Sequence, residues 1–545
     1  MSSMITTTAW VRRGVAAQFP TKYEIDEEEM GRISKLARTQ LEEAQDGLSA
    51  AQGGKAGEDG EDAFMDEDDK ADDAMDEDEK TKEGTDSKND DDVLKEFDLD
   101  HYDSDEKDED GEKITMFGNV QSLAYHQPNE ADPYLVMPEE EDDEEREELQ
   151  IMPTDNLLLA GKVEDEVAHL EVYVYEDHAD NLYVHHDIML PGIPLCLEWL
   201  DMPVGKNTEG RNQGNFVAVG TMEPDIEIWD LDIVDCMYPN AILGQGGQDS
   251  SDAKKSKKKK KSKANDEYHI DSILALAANR EHRNLLASAS ADRTVKLWDL
   301  NTTSCAKSYS HHTDKVCSLD WHPKEATVLL SGSYDRTVVA ADMRAPDTKA
   351  RWGVDSDVEN VRWDPHDPNY FFVTTDGGMV YRYDIRNVPA SLSESKPVWS
   401  LQAHDASVSA FDINRAIPGF LVTGSMDKEV KLWDIENDKP NMVVSRKLDV
   451  GKVFAANFAP DAEVGFRLAV AGSKGTVQIW DASTNGAVRR AFVSRMPDLV
   501  GDVPERTIGI NPDDEKSDDE GEEATDAGAE GDAGGRDGWE SMDED

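Results

Sequence analysis

Cysteine is scarce in this chain of 545 residues: Cys196, Cys236, Cys305 and Cys317 are the full set, and no two form a C-x-x-C pair. So few unclustered thiols exclude a disulfide framework and a cysteine zinc cluster, and they fit a reducing compartment such as the cytosol or nucleus. No apolar run approaches the roughly 20 residues that span a bilayer, so no membrane partner is expected. Arg12 and Arg13 are not followed by an apolar stretch, so a secretory signal is not expected either. The chain lacks G-x-x-x-x-G-K-[ST], G-x-S-x-G and H-E-x-x-H. No enzymatic constellation, cofactor or small-molecule substrate is therefore expected. His185-His186 and His311-His312 are adjacent pairs, and consecutive strand residues face opposite ways, which argues against shared metal ligation.

Positive charge is the other scarcity. There are 56 Lys+Arg against 118 Asp+Glu, a formal net charge of −62. Three stretches supply most of it. Residues 58–112 carry a net −23, residues 139–148 a net −8 and residues 513–545 a net −14, which leaves −17 for the other 447 residues. Such stretches lack the apolar content that offsets ordering entropy, so they are expected to be disordered. They serve either solubility alone or the capture of basic partners, and they would repel bare nucleic acid. One stretch has the opposite sign: Lys254, Lys255, Lys257, Lys258, Lys259, Lys260, Lys261 and Lys263 fall within ten positions. It reads as a solvated loop, a nuclear localisation signal or an RNA-binding tether through phosphate contacts.

The chain also repeats itself. IEIWDLD (226–232), VKLWDL (295–300), VVAADM (338–343), VYRYDI (380–385), VKLWDI (430–435) and VQIWDA (477–482) end in Trp-Asp or a variant. Their aspartates are spaced by 69, 43, 42, 50 and 47 residues, and the long interval holds the lysine run. Each ending follows a run with an aromatic and a second short apolar run, as in LDWHP (319–323) then LLSGS (329–333). A fourth, looser strand follows it. Four short strands make one blade that cannot bury both faces alone, and blades must stack around an axis. The pattern resembles the WD-repeat β-propeller family.

Within three blades a polar set recurs: His269, Ser290, Asp292 and Trp298; His312, Ser333, Asp335 and Ala341; His404, Ser425, Asp427 and Trp433. In the resembled family such side chains form a hydrogen-bonded tetrad. Its threefold recurrence argues for structure, since a catalytic triad needs one site. Ala341 leaves the middle set incomplete.

The six endings give six blades, and LLLAGKV (157–163), HLEVYVYED (169–177) and LYVHHDIML (182–190) supply most of a seventh. Its missing inner strand is ITTTAWVRR (5–13), with NVQSLAYH (119–126) as the alternative. AVRRAFVSR (487–495) is read as the outer strand of the last blade. The expected fold is all-β: a seven-bladed propeller with a short N-terminal helix and long acidic disordered segments. The organisation is residues 1–20, completing blade 1; 21–50, a helix opened by a capping box at Thr21–Glu24; 51–112, acidic and disordered; 113–150, an extended partner- or propeller-binding segment; 151–495, the propeller with a lysine-rich insertion at 246–268; and 496–545, an acidic disordered tail. In that tail Ser517 precedes Asp518-Asp519-Glu520 and is a candidate phosphosite.

TTTAWVRRGVA near the start, PTDNLLLAGKVED, YVHHDIML, IWDLDIVD with its lysine insertion and LASASADRTVKLWD, in that order, resemble the periodic tryptophan protein 1 family of WD-repeat ribosome biogenesis factors. The likeness spans most of the chain outside the acidic tracts. It implies a nuclear and nucleolar factor of large-subunit assembly and pre-rRNA processing. The implied partner is the large-subunit pre-ribosomal particle, with its rRNA, ribosomal proteins and other assembly factors; chromatin or histones are a further partner. The residues themselves support a mechanism class. Turns between second and third strands share a face with the links between blades. Arg293, Arg336 and Lys428, after the turn aspartates, would join the lysine run there as face contacts. The competing function is a chromatin, histone or ubiquitin-ligase adaptor.

Overall fold

The computed structural model describes residues 3–23, 146–147, 149–205, 210–245, 265–345, 349–436, 438–492, 495 and 504–510. All lie in one compact unit, Met1–Glu24 with Glu144–Asp545; the other unit, Ile25–Asp143, falls outside the described residues. Seven four-stranded antiparallel sheets form a seven-bladed β-propeller. Strands are lettered a to d from the axis outwards. The a strands are Ser3–Val11, Pro194–Leu200, Ile273–Ala278, Val316–Trp321, Val358–Trp363, Ala410–Ile413 and Val453–Phe458. Each touches the a strands on both sides, and the last meets the first, so the ring closes. The b–c turns and the links between blades share the upper face. The a–b and c–d loops share the lower face.

The second strands explain why blades can stack. FVAVGT, VLLSGS and FLVTG place Gly220, Gly332 and Gly424 at the same point. A Cβ at Gly332 would lie 2.8 Å from Val358 Cγ1, and one at Gly424 would lie 2.5 Å from Val453 Cγ1. In both cases the clashing residue opens the next blade. The missing side chain lets one sheet lie flush on its neighbour, and buried Val, Ile, Leu and Trp fill the rest of each interface.

The ring is closed by the chain's first residues. Ser3–Val11 pairs antiparallel with Asn156–Glu164, with Trp10 opposite Leu158. Thr8 Oγ1 donates to Asn457 Oδ1 at 2.8 Å and Trp10 Nε1 to the Asn457 carbonyl at 3.0 Å, both in blade 7. Below them the Arg13 backbone N–H donates to Asp461 at 3.1 Å.

Two elements differ from the sequence reading. Residues 487–495 do not form the outer strand of blade 7. Gly486–Phe492 is an α-helix, the d strand is Arg506–Ile510, and the propeller therefore runs to 510, not 495. Asn485 Oδ1 accepts the N–H groups of Ala487 and Val488 and caps the helix. Val488 and Phe492, four residues apart on one helical face, are both fully buried. Nor does Thr21 open a helix: Thr21–Lys22 pairs in parallel with Ile233–Val234 on the lower face. The rest of the expected helix and the alternative strand 119–126 lie outside the described residues, as do Ser517 and the acidic tracts 58–112 and 513–545. No helix among the described residues is long and apolar enough to cross a membrane.

Candidate functional site

Three upper-face networks hold the turns in place. In blade 3 the His269 ring contacts Asp292 Oδ2 through Nδ1 at 2.8 Å and Ser288 Oγ through Nε2 at 2.7 Å, and Trp298 Nε1 donates to Ser288 Oγ at 2.8 Å. In blade 6 His404 contacts Asp427 and Thr423, and Trp433 Nε1 donates to Thr423 Oγ1 at 2.9 Å. The hydroxyls are therefore Ser288 and Thr423, and Ser290 and Ser425 are corrected. The bridging hydroxyl must lie mid-strand, between the turn aspartate and the distant tryptophan. Ser290 and Ser425 lie two residues nearer the turn, where they accept the N–H of Asp292 at 3.1 Å and of Asp427 at 3.2 Å. Blade 4 keeps His312, Asp335 and Ser331, but Ala341 stands where an indole would be. There Ser331 Oγ turns to the Val339 carbonyl at 3.4 Å. Burial lowers the pKa of His269 and His404 despite their aspartates, which keeps both rings neutral.

The turn cations are exposed on this upper face. Arg293, Arg336 and Lys428 have φ of +73°, +63° and +70°. The preceding aspartates make this tolerable, since each accepts the N–H two residues on, as Asp292 does from Thr294 at 2.9 Å. Arg336 is tied to Asp357 at 2.9 Å. The lysines of 254–263 lie outside the described residues, but the flanking residues do not. The Gln245 N–H donates to Asp225 Oδ1 at 2.9 Å and the Asn265 carbonyl accepts Lys296 Nζ. Asp225 belongs to the b–c turn of blade 2, so the stretch leaves and rejoins the ring on the upper face.

The a strands enclose a central channel of about 830 Å³. Toward the lower mouth stand Trp10, Trp199, Trp321 and Trp363, whose indoles are used for packing. Trp321 Nε1 donates to the Ala277 carbonyl at 2.9 Å and Trp363 Nε1 to the Asp320 carbonyl at 3.2 Å, each in the blade before. In blades 4 and 6 the next-to-last residue of the a strand reaches forward instead. Asp320 Oδ2 accepts the Trp363 N–H at 2.7 Å, and Asp412 Oδ2 accepts the Phe458 N–H at 2.9 Å. Burial raises the pKa of both aspartates, against the pull of Arg362 and Arg415. Sequence pattern did not single out these charges, because an a strand with a polar residue looks like any half-exposed strand.

The adjacent histidines of blade 1 also depart from simple alternation. Register shifts between Val172 and Tyr173, and His185 becomes the extra residue of a β-bulge. Its Nδ1 then lies 2.8 Å from His186 Nδ1. Burial lowers His186 to about 3. No group of three or more metal-binding side chains occurs among the described residues.

Seven four-stranded blades, two of them with a complete His, Ser or Thr, Asp and Trp network, define a WD-repeat propeller. The WD domain, G-beta repeat family matches residues 263–299, 303–339 and 395–434. The chain belongs to the periodic tryptophan protein 1 family. It is 38% identical over 557 aligned residues to Periodic tryptophan protein 1 of Saccharomyces cerevisiae, covering 93% of each chain. It is 31% identical to the Periodic tryptophan protein 1 homolog of Drosophila melanogaster, covering 89% of this chain and 95% of that one. An uncharacterized WD repeat-containing protein of Schizosaccharomyces pombe is 49% identical over 502 residues, which is 91% of this chain and 92% of the relative.

Proposed function

We propose that this propeller is a non-enzymatic scaffold of ribosome biogenesis in the nucleus and nucleolus, assembling the large ribosomal subunit and supporting pre-rRNA processing. Pre-rRNA and assembly factors dock on the ring, and the acidic arms engage basic partners. The observation that carries the reading is the match to Periodic tryptophan protein 1 across 93% of both chains, which extends well beyond the repeats. The fold supports it: a closed ring gives a stiff platform, and loop-borne charges on one face give salt-sensitive contacts.

The lysine loop is the element to test. Each phosphate contact adds nearly one unit to the slope of log affinity against log salt. Replacing the eight lysines of 254–263 by glutamine is expected to flatten that slope for rRNA fragments. An unchanged slope removes the loop from RNA docking. Retention on chromatin after ribonuclease treatment, with no crosslinks to rRNA, would favour the histone-reading alternative.

A further inference from the structure

The upper mouth of the channel is lined differently from the lower. Six of the seven a strands carry a one-residue bulge near their upper ends, which takes Thr6, Leu195, Leu274, Cys317, Glu359 and Phe454 out of register with the b strand. Blade 6 puts Ser409 at the matching place, one residue after the buried Val408. All seven line the channel. Thr6, Cys317 and Ser409 spend their side chains on the next blade: they donate to the carbonyls of Pro194 at 2.6 Å, Val358 at 3.0 Å and Val453 at 2.5 Å. Leu195, Leu274 and Phe454 have no such use. Each is half-buried and belongs to none of the blades' hydrophobic clusters, although the residue before it is buried. Met4, at the upper end of the first strand, also lines the channel and is 37% exposed. The apolar side chains thus form one arc over blades 7, 1, 2 and 3.

Charge enters this collar from the other side. Asp320, Arg362, Asp412 and Arg415 stand toward the lower ends of their strands or past them. Among the described lining residues, Glu359 of blade 5 alone brings a charged group to the upper end. Ser407 hydrogen-bonds its carboxylate, but burial, and then the carboxylates of Asp376 and Asp357, raise its pKa from 4.5 to about 7. Arg336, on the same side, is already held by Asp357 at 2.9 Å.

The occupant follows from this lining. Apolar side chains gathered at a concave opening, with one polar group opposite, suit an apolar group of another molecule that also carries a donor. A phosphate backbone would meet Glu359 with Asp357 and Asp376 behind it, and no lining cation at this level. The chain's own C-terminal residues start from the upper face after Ile510 and include Trp539, but Asp537 and Glu540 flank that indole and repeat the sign of Glu359. In an extended segment, consecutive side chains point opposite ways. An apolar residue and a neighbouring cation would therefore reach the two walls together.

We propose that the upper mouth of the channel docks an extended segment of a partner protein, which seats one large apolar side chain among Leu195, Leu274 and Phe454 and sets an adjacent lysine or arginine against Glu359. This contact rests on the scaffold reading above for its biological setting and adds the chemistry of the partner.

The test selects a phage-displayed library of random twelve-residue peptides on the full chain and measures the recovered peptides by fluorescence anisotropy. The expected consensus is one large apolar residue next to a lysine or arginine. Phe454→Ser is expected to weaken these peptides at least tenfold, and Leu274→Ser gives the same reading if that variant misfolds. Glu359→Lys is expected to weaken them as well and to favour peptides in which glutamate replaces the cation. Wild-type affinity in the two serine variants, or an acidic or patternless consensus, would overturn the proposal. So would a single-stranded RNA oligonucleotide whose binding falls in Phe454→Ser, or tighter peptide binding once residues 511–545 are removed, which would hand the mouth to the chain's own tail. If the chain co-sediments with ribosomal precursors while these variants bind like wild type, this contact fails and the scaffold reading stands; a chain that stays off the precursors overturns the scaffold reading whatever the peptides do.

Discussion

Ser288 illustrates how much one hydroxyl carries. It accepts from Trp298 and meets His269, both deeply buried. Ser288→Ala leaves two buried groups without partners, at about 1–3 kcal/mol each. Ser331→Ala in blade 4 strands only His312, so its urea midpoint should fall less. Equal losses would contradict the tetrad geometry. Acid acts on the same network. Burial opposes ionisation of Asp292, but hydrogen bonds from His269 and Thr294 outweigh it and lower its pKa from 3.8 to about 2. A lowered carboxylate stabilises the fold above 3.8 and loses that contribution as pH falls toward 2. The stability gap between wild type and Asp292→Asn should therefore shrink over that window, and a constant gap would contradict it. The recurring His, Asp and Trp positions were legible in the sequence. The hydroxyl was not, because Ser288 and Ser290 lie two apart and alternation puts both on one face. Only the diagonal reach from Trp298 separates them. His185 was illegible for a related reason: a bulge breaks the alternation on which the reading depended.

Elements show the same division. Repeat spacing revealed the b and c strands, since the Trp-Asp endings mark c and a short apolar run before each marks b. The last d strand was missed because GAVRRAF and RTIGI are both short and mildly apolar. A four-residue apolar spacing decides for helix in the first, and alternation decides for strand in the second. The helix is a clamp between blades. Phe492 packs on Phe420 with ring centroids 4.4 Å apart, and on Phe466. Phe492→Ala should cost about 3–5 kcal/mol. Arg490→Ala, exposed on the same helix, should change the denaturation midpoint little. A small effect at Phe492 would mean the helix merely rests on the ring.

At the scale of the whole molecule, the ring and most of the charge occupy different stretches of the chain. The ring between residues 3 and 510 holds its polar groups in defined networks, while the largest excess of negative charge lies outside the described residues. Composition made that division readable, because acidic tracts without apolar residues cannot build a core. It did not reveal which end of the channel carries the inward-facing charges, since that depends on how seven distant strands meet. The ring is proposed as a docking platform on large-subunit precursors. Sucrose-gradient sedimentation of the tagged full-length chain, with RNA crosslinking across the fractions, tests it most directly. Migration with large-subunit precursor particles and crosslinks to pre-rRNA are expected; a chain that stays at the top of the gradient, uncrosslinked, would contradict docking on them.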